Sequence, residues 1–253
     1  MALELEVKSA VEVCQKVGPL LLEFFERGIV ETRSKLKRQD VVTQADLESE
    51  QTILDHLRRE WPDDGILAEE SGHAAGSSGR IWCVDPLDGT ANFAAGYPHW
   101  SVAIALLDQD RPQLAVTHDP LRKEIHTATG RTRTESSAGP VGMRTVRRIE
   151  DALVADNRPY EHREPSHSLE LELRRSRGRR ESGSMALDFA WLAVGRLDLV
   201  TYERSDRLWD YIGGELLVEN AGGSVRVSEN DPNIAVAACP ELAVELGTKG
   251  KSD

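Results

Sequence analysis

The chain has 253 residues, 40% apolar and 29% charged, enough for one large domain or two coupled half-domains with a sizeable core. Its net charge of -12 disfavours partners that bind through the phosphates of a polymer, so nucleic acid is not expected. A small anionic substrate stays open, because bound divalent cations reverse the local sign. Cys14, Cys83 and Cys239 are widely spaced and form no CxxC pair, which argues against a disulfide framework or zinc site and suits a reducing, cytoplasmic setting. The opening MALELEVKSAVEV carries acids where a secretory signal carries bases. No apolar run reaches the roughly 18 residues that span a bilayer, so no membrane partner is expected.

Residues 3–27 carry Val7, Ala10, Cys14, Val17, Leu21 and Phe24 on one helical stripe, with Gly18-Pro19 expected to bend or break it. Leu47, Glu50, Leu54, Leu57 and Trp61 predict a second helix, stopped by Pro62. Thr43 and Asp46 before it resemble a capping box, with Asp replacing the usual Glu. The period then changes: 66–68 and 81–84 are short apolar runs that predict buried strands, separated by a small, polar stretch (71–79) expected to be a mobile loop. Strands follow at 100–107, 113–117 and 124–128. The polar, basic stretch 130–148 is the best boundary between a half spanning 1–140 and one spanning 141–253. Beyond it the pattern predicts strands at 152–155, 199–202, 224–227 and 234–238, and helices at 184–195 and 209–221. Strands and helices interleave without a strict βαβ rhythm, which predicts an α/β (α+β) fold of mixed sheets sandwiched by helices.

The chemistry concentrates in Trp82-Cys83-Val84-Asp85-Pro86-Leu87-Asp88-Gly89-Thr90-Ala91-Asn92-Phe93. A buried strand runs straight into two aspartates, with Pro86 stiffening the turn. Hard carboxylate oxygens at a strand end suit Mg2+. Gly89 lets the backbone approach a ligand closely, and a helix opening at Thr90 would aim free amides at a phosphate. The plain alternative is a turn, since Asp, Pro and Gly are common turn residues. Further acids at element ends tell against it: Glu69-Glu70 closes one predicted strand, and Asp210 opens the 209–221 helix. Two metal ions clamping the attacking and leaving oxygens of a phosphoryl transfer need about this many carboxylates.

The segments DVVTQAD (40–46), LAEES (67–71), WCVDPLDGTANF (82–93), GYPHWSVAIAL (96–106), GSMALDFAWLAVGRLDL (183–199) and LWDYIGGELLVENAGG (208–223) resemble the inositol monophosphatase family over nearly the whole chain. That resemblance implies a layered α-β-α-β-α sandwich, a homodimer, and a lithium-sensitive hydrolase using two or three Mg2+ ions, with Mn2+ a possible substitute. It implies that Glu69, Asp85 and the Leu87 carbonyl bind one metal and Asp85, Asp88 and Asp210 a second. Thr90, backed by Asp46, would orient the attacking water, and Gly89 and Thr90 amides would hold the phosphate. Glu203, seven residues before Asp210, matches the family's position for substrate hydroxyls.

Several expectations stay open. Asp46 can be read as a helix cap alone and Asp210 as a helix N-terminal acid. Glu70 should point away from the site. Trp82, Trp100 and Trp191 read as core, and each histidine as solvated. Arg174, Arg175, Arg177, Arg179 and Arg180 read as a solvated face or as a grip on a second phosphate. The expected partner is a small phosphorylated metabolite. Inositol monophosphate leads, with histidinol phosphate, fructose bisphosphate or an adenosine bisphosphate as alternatives. From a different class, a silent metal-binding scaffold also remains.

Overall fold

The computed structural model describes residues 3–28, 32–34, 41–130, 133–159, 168–228, 231, 233–246 and 248–250. Helix α1 (Glu4–Arg27) leads to a ladder of β1 (Thr32–Ser34) with β2 (Val41–Thr43), then helix α2 (Gln44–Glu60). Next come β3 (Gly65–Ala68), β4 (Gly72–Ala74), β5 (Arg80–Asp88) and short helix α3 (Thr90–Ala94). A meander follows: β6 (Ser101–Asp108), β7 (Arg111–Asp119), β8 (Glu124–Thr129) and β9 (Arg133–Ser136). Then run β10 (Leu153–Asn157), α4 (Ser168–Leu173), β11 (Gly178–Arg180), α5 (Met185–Ala193), β12 (Leu199–Glu203) and α6 (Ile212–Asn220). The last elements are β13 (Ser224–Ser228), β14 (Ile234–Ala238), α7 (Pro240–Glu245) and β15 (Thr248–Gly250).

Seven strands form one sheet in the order β4-β3-β5-β6-β7-β8-β9, and six form another, β11-β10-β12-β14-β13-β15. Each mixes parallel and antiparallel pairs. Alternation along the strands sets the layers. Trp82, Val84, Ile104 and Leu106 face α1 and α2, whereas Cys83, Ala105 and Leu107 face Phe189, Leu192 and Ile212 of α5 and α6. Leu169, Leu173, Leu242 and Ala243 of α4 and α7 cover the outer side of the second sheet. The fold thus has the mixed sheets sandwiched by helices that the pattern predicts, in the α-β-α-β-α layering that the family resemblance implies. Close approach within its middle layer needs Gly214, where an added Cβ would lie 2.3 Å from Phe189.

Several local expectations change. Helix α1 runs unbroken through Pro19, which removes only one N–H from a helix otherwise held by its buried stripe. His118 Nδ1 lies 2.9 Å from the Cys14 carbonyl in that region, and since a carbonyl only accepts, Nδ1 carries the proton. Leu47 is exposed, because Asp46, Ser49, Glu50 and Ile53 set the buried face of α2. The predicted mobile loop at 71–79 instead adds edge strand β4. Asp63 O accepts from the Ser77 and Ser78 amides, so water does not have to satisfy them. Asp40 lies outside the described residues.

The histidines also depart from expectation, since His56, His99, His118 and His126 are buried. Burial lowers the pKa of His126 to about 4 and moves His118 and His56 in the same direction. The unfolded chain therefore binds more protons than the folded one below the ordinary histidine value of about 6.5. The histidines' contribution to stability is expected to be complete above that value and to be lost as pH drops from about 6.5 towards 4. Thermal melts across this window test it: His126→Leu should flatten the slope, and an unchanged slope would refute the assignment.

Candidate active site

Strands β3 and β5 are parallel and pair Ala68 with Val84, so the next residues, Glu69 and Asp85, emerge side by side. The Glu69 amide donates to Val84 O at 3.2 Å. Against β6, Asp85 pairs with Ala103 and Asp88 with Ser101, which leaves one extra residue on β5. This bulge returns Asp88 to the face that carries Asp85, where strict alternation would have opposed them. Pro86 sits in the bulge, where no ladder N–H is needed, and its carbonyl accepts from Ser49 Oγ at 2.9 Å. Asp210 ends a 3-10 turn, Leu208–Asp210, that packs on β5 and β6. It therefore lies before α6 and not within a 209–221 helix.

Glu69, Asp85, Leu87, Asp88, Gly89, Thr90 and Asp210 line a cavity of about 260 Å³, together with Ala91, Asn157, Gly183, Met185 and Arg207. Burial, then the charges of Glu69, Asp88 and Asp210, raise the Asp85 pKa well above the carboxylate range. Burial likewise pushes Asp88 up to about 6. Asp88 also anchors the start of α5: Ser184 Oγ donates to it at 2.5 Å, the Met185 amide at 2.9 Å and Ser101 Oγ at 3.1 Å. Crowded acids that resist ionisation form a hard oxygen donor set that suits a divalent cation. Among the described residues, no three Asp, Glu, His or Cys side chains are already gathered into a metal-holding group. The carboxylates converge on the cavity without closing on one point.

Behind this wall, Thr90 Oγ1 lies 2.8 Å from Asp46 Oδ1 and 3.1 Å from Leu87 O. Asp46 is fully buried, and its Oδ2 accepts from the Thr43 amide at 2.9 Å and from Thr43 Oγ1. The capping box and the contact with Thr90 thus coexist, one on each carboxylate oxygen. Gly89 adopts φ 92, and an added Cβ would lie 3.0 Å from Gly183 O and 3.1 Å from His99 O. Gly89→Ala is expected to cost roughly 1–3 kcal/mol, read as a lower thermal midpoint. An unshifted midpoint would contradict this geometry.

Other candidates lie elsewhere. Glu203, half-buried at the end of β12, is not among the residues lining the cavity. Glu70 is also outside the lining; its amide and that of Ser71 are held by Glu50 at 2.8 and 2.9 Å. Arg174, Arg175, Arg177 and Arg180 are exposed, as a solvated face would be, but they follow α4 and do not lie on a helix, and Arg179 is half-buried. Arg179 pairs with Asp156 and Glu170, Arg174 with Glu170, Arg175 with Glu150 and Glu172, and Arg177 with Asp151. Trp82 and Trp100 are core, whereas Trp191 is half-buried beneath Arg122 and Arg196. Sequence reasoning missed Asn157, Gly183, Met185 and Arg207 as cavity residues. Gly183 and Met185 fall in a segment already singled out, but nothing local marks Asn157.

Known proteins agree with this architecture. The chain is 34% identical over 221 residues to Nus factor SuhB of Escherichia coli K12, covering 85% of this chain and 82% of that one. It superposes on the extragenic suppressor protein SuhB of Bartonella henselae with TM-score 0.85 at 30% identity, over 94% and 95% of the two chains. An IMPase of Thermotoga maritima also gives TM-score 0.85, at 26% identity over 95% and 94%. The expectation of no nucleic-acid partner is overturned, because curated relatives of this chain are named Nus factor SuhB. Net charge sums over the whole surface and cannot exclude a local patch or an assembly reached through another protein. Among the described residues no helix is long and apolar enough to cross a membrane. The model of the inositol monophosphatase family matches residues 3–243, and the chain belongs to that family.

Proposed function

We propose that the chain is a Mg2+-dependent phosphomonoesterase for a small polyol phosphate, with inositol monophosphate as its reference substrate, working in a reducing, cytoplasmic setting. The supporting observation is the convergence of Glu69, Asp85, Asp88 and Asp210 on one cavity beside the Thr90–Asp46 hydrogen bond. Glu69, Asp85, the Leu87 carbonyl, Asp88 and Asp210 would hold Mg2+, with Mn2+ as a substitute. Bound there, the ion supplies a Lewis acid for the phosphate and lowers the pKa of water. Residues 1–140 would contribute most of these ligands and residues 141–253 would add Asp210.

Thr90 has one proton, and donating it to Asp46 leaves its oxygen lone pairs facing the cavity as acceptors. Water held on Thr90 Oγ1 is thereby oriented, and its proton can pass to Thr90 as Thr90 passes its own to Asp46. The Gly89 and Thr90 amides hold the phosphate. The bisphosphate alternative is less favoured at Arg179, which is already held by Asp156 and Glu170. Lithium inhibition belongs to the same reading and is measured at saturating Mg2+.

The relatives' name favours a second reading, that the chain serves as a Nus factor. Inorganic phosphate release from inositol 1-phosphate, with and without Mg2+, tests the first reading. A catalytically dead variant that still performs the protein's cellular role would favour the second.

A further inference from the structure

Behind Asn157 and the Ser182–Gly183 turn, Asp188 of α5 is 1% exposed and collects three side chains. Asn157 Nδ2 donates to its Oδ2 at 2.9 Å, Ser182 Oγ donates to the same oxygen, and His99 Nε2 lies 3.2 Å from Oδ1. Asn92 braces the same turn, with Nδ2 2.7 Å from both His99 O and Ser182 O. Asp188 has no catalytic partner in the proposed mechanism, and its three contacts lead to the cavity through Asn157 and the Ser182–Gly183 turn.

A carboxylate only accepts, so Asp188 fixes which end of the Asn157 amide faces it. One N–H is spent on Asp188, which turns the nitrogen towards it, and Asn157 Oδ1 keeps its acceptor capacity for a ligand. Resting on the phosphatase reading above, we infer that Asn157 is a specificity-determining residue that accepts a hydrogen bond from a hydroxyl on the substrate's leaving group, with Asp188 as its positioning residue. The substrate class is a polyhydroxylated phosphomonoester whose hydroxyl reaches the end of β10. Glu203, to which the family resemblance gives hydroxyl binding, lies outside this cavity lining.

The test compares myo-inositol 1-phosphate with 4-nitrophenyl phosphate, which has no leaving-group hydroxyl to donate once bound as the ester. Asn157→Ala should lower kcat/KM for the inositol ester about three- to tenfold, mainly through KM, and leave the aryl ester within about twofold. Asp188→Asn should show the same selectivity, because an amide there no longer dictates the orientation of Asn157. Since Asp188 is buried, Asn157→Ala alone decides the outcome if Asp188→Asn fails to fold. Equal effects on both esters, or none on either, overturn the inference. Calorimetry with the phosphonate analogue of inositol 1-phosphate separates it from the phosphatase reading. Wild-type protein that binds the analogue without hydrolysing either ester, and binds it more weakly as Asn157→Ala, loses that reading and keeps this one. Equal affinity of wild type and variant overturns this one, and wild type that binds no analogue and hydrolyses no ester overturns both.

Discussion

Asp85→Asn is expected to lower kcat by about 10²–10³ while making the metal-free protein more stable. Asp85 is buried among Glu69, Asp88 and Asp210, whose charges repel its own. Asparagine keeps an oxygen for the Leu87 amide, which lies 3.0 Å from Oδ1, and removes the repulsion. Each kcal/mol so gained should raise the melting midpoint by about 2–4 °C for a chain of this size. Added Mg2+ should reverse the order, because an ion that binds only the folded state stabilises the wild type more. Glu70→Gln is the contrast: it lies outside the cavity lining and should leave both activity and midpoint nearly unchanged. Equal losses in the two variants, or a lower metal-free midpoint for Asp85→Asn, would refute the ligand assignment.

The second large effect concerns Thr90. Thr90→Ala should lower kcat by about 10²–10⁴ with little change in KM, since the water loses its positioned acceptor and its route to Asp46. Thr90→Ser keeps the hydroxyl and should recover most of the activity. Asp46→Asn should show the same kinetic loss and also melt earlier. Its amide nitrogen cannot accept from Thr43, and loss of a cap costs roughly 1 kcal/mol. A serine variant as slow as the alanine variant would mean that Thr90 acts through packing alone.

Much of this was legible because the signals are local. The shift from helical stripes at 3–27 and 47–61 to short apolar runs at 66–68 and 81–84 is a change of period, and it marks where α2 gives way to β3 and β5. Asp85 and Asp88 stand out because a buried strand has no other use for two acids. The same-face placement of that pair is less visible, since it depends on a bulge opposite Ala103 and Ser101. Asn157, Arg207 and Asp188 could not be read at all. Asn157 and Arg207 reach the cavity through tertiary packing, Asp188 touches it only through Asn157, and each looks locally like an ordinary strand end, loop cation or helix acid. Buried histidines escaped for a similar reason, as nothing near His126 in the chain announces that α5 and α6 will cover its strand. Arg179 differs from its exposed neighbours because one of its acid partners, Asp156, comes from β10, which nothing in the local sequence marks.

One carboxylate cavity is proposed to bind Mg2+ and hydrolyse a polyol phosphate. The most direct test follows inorganic phosphate release from inositol 1-phosphate by the purified chain before chelation, after exhaustive chelation, and after Mg2+ is restored. Release, loss and recovery are expected in that order. Release that survives chelation, or none under any of the three conditions, would contradict the proposed role of the cavity.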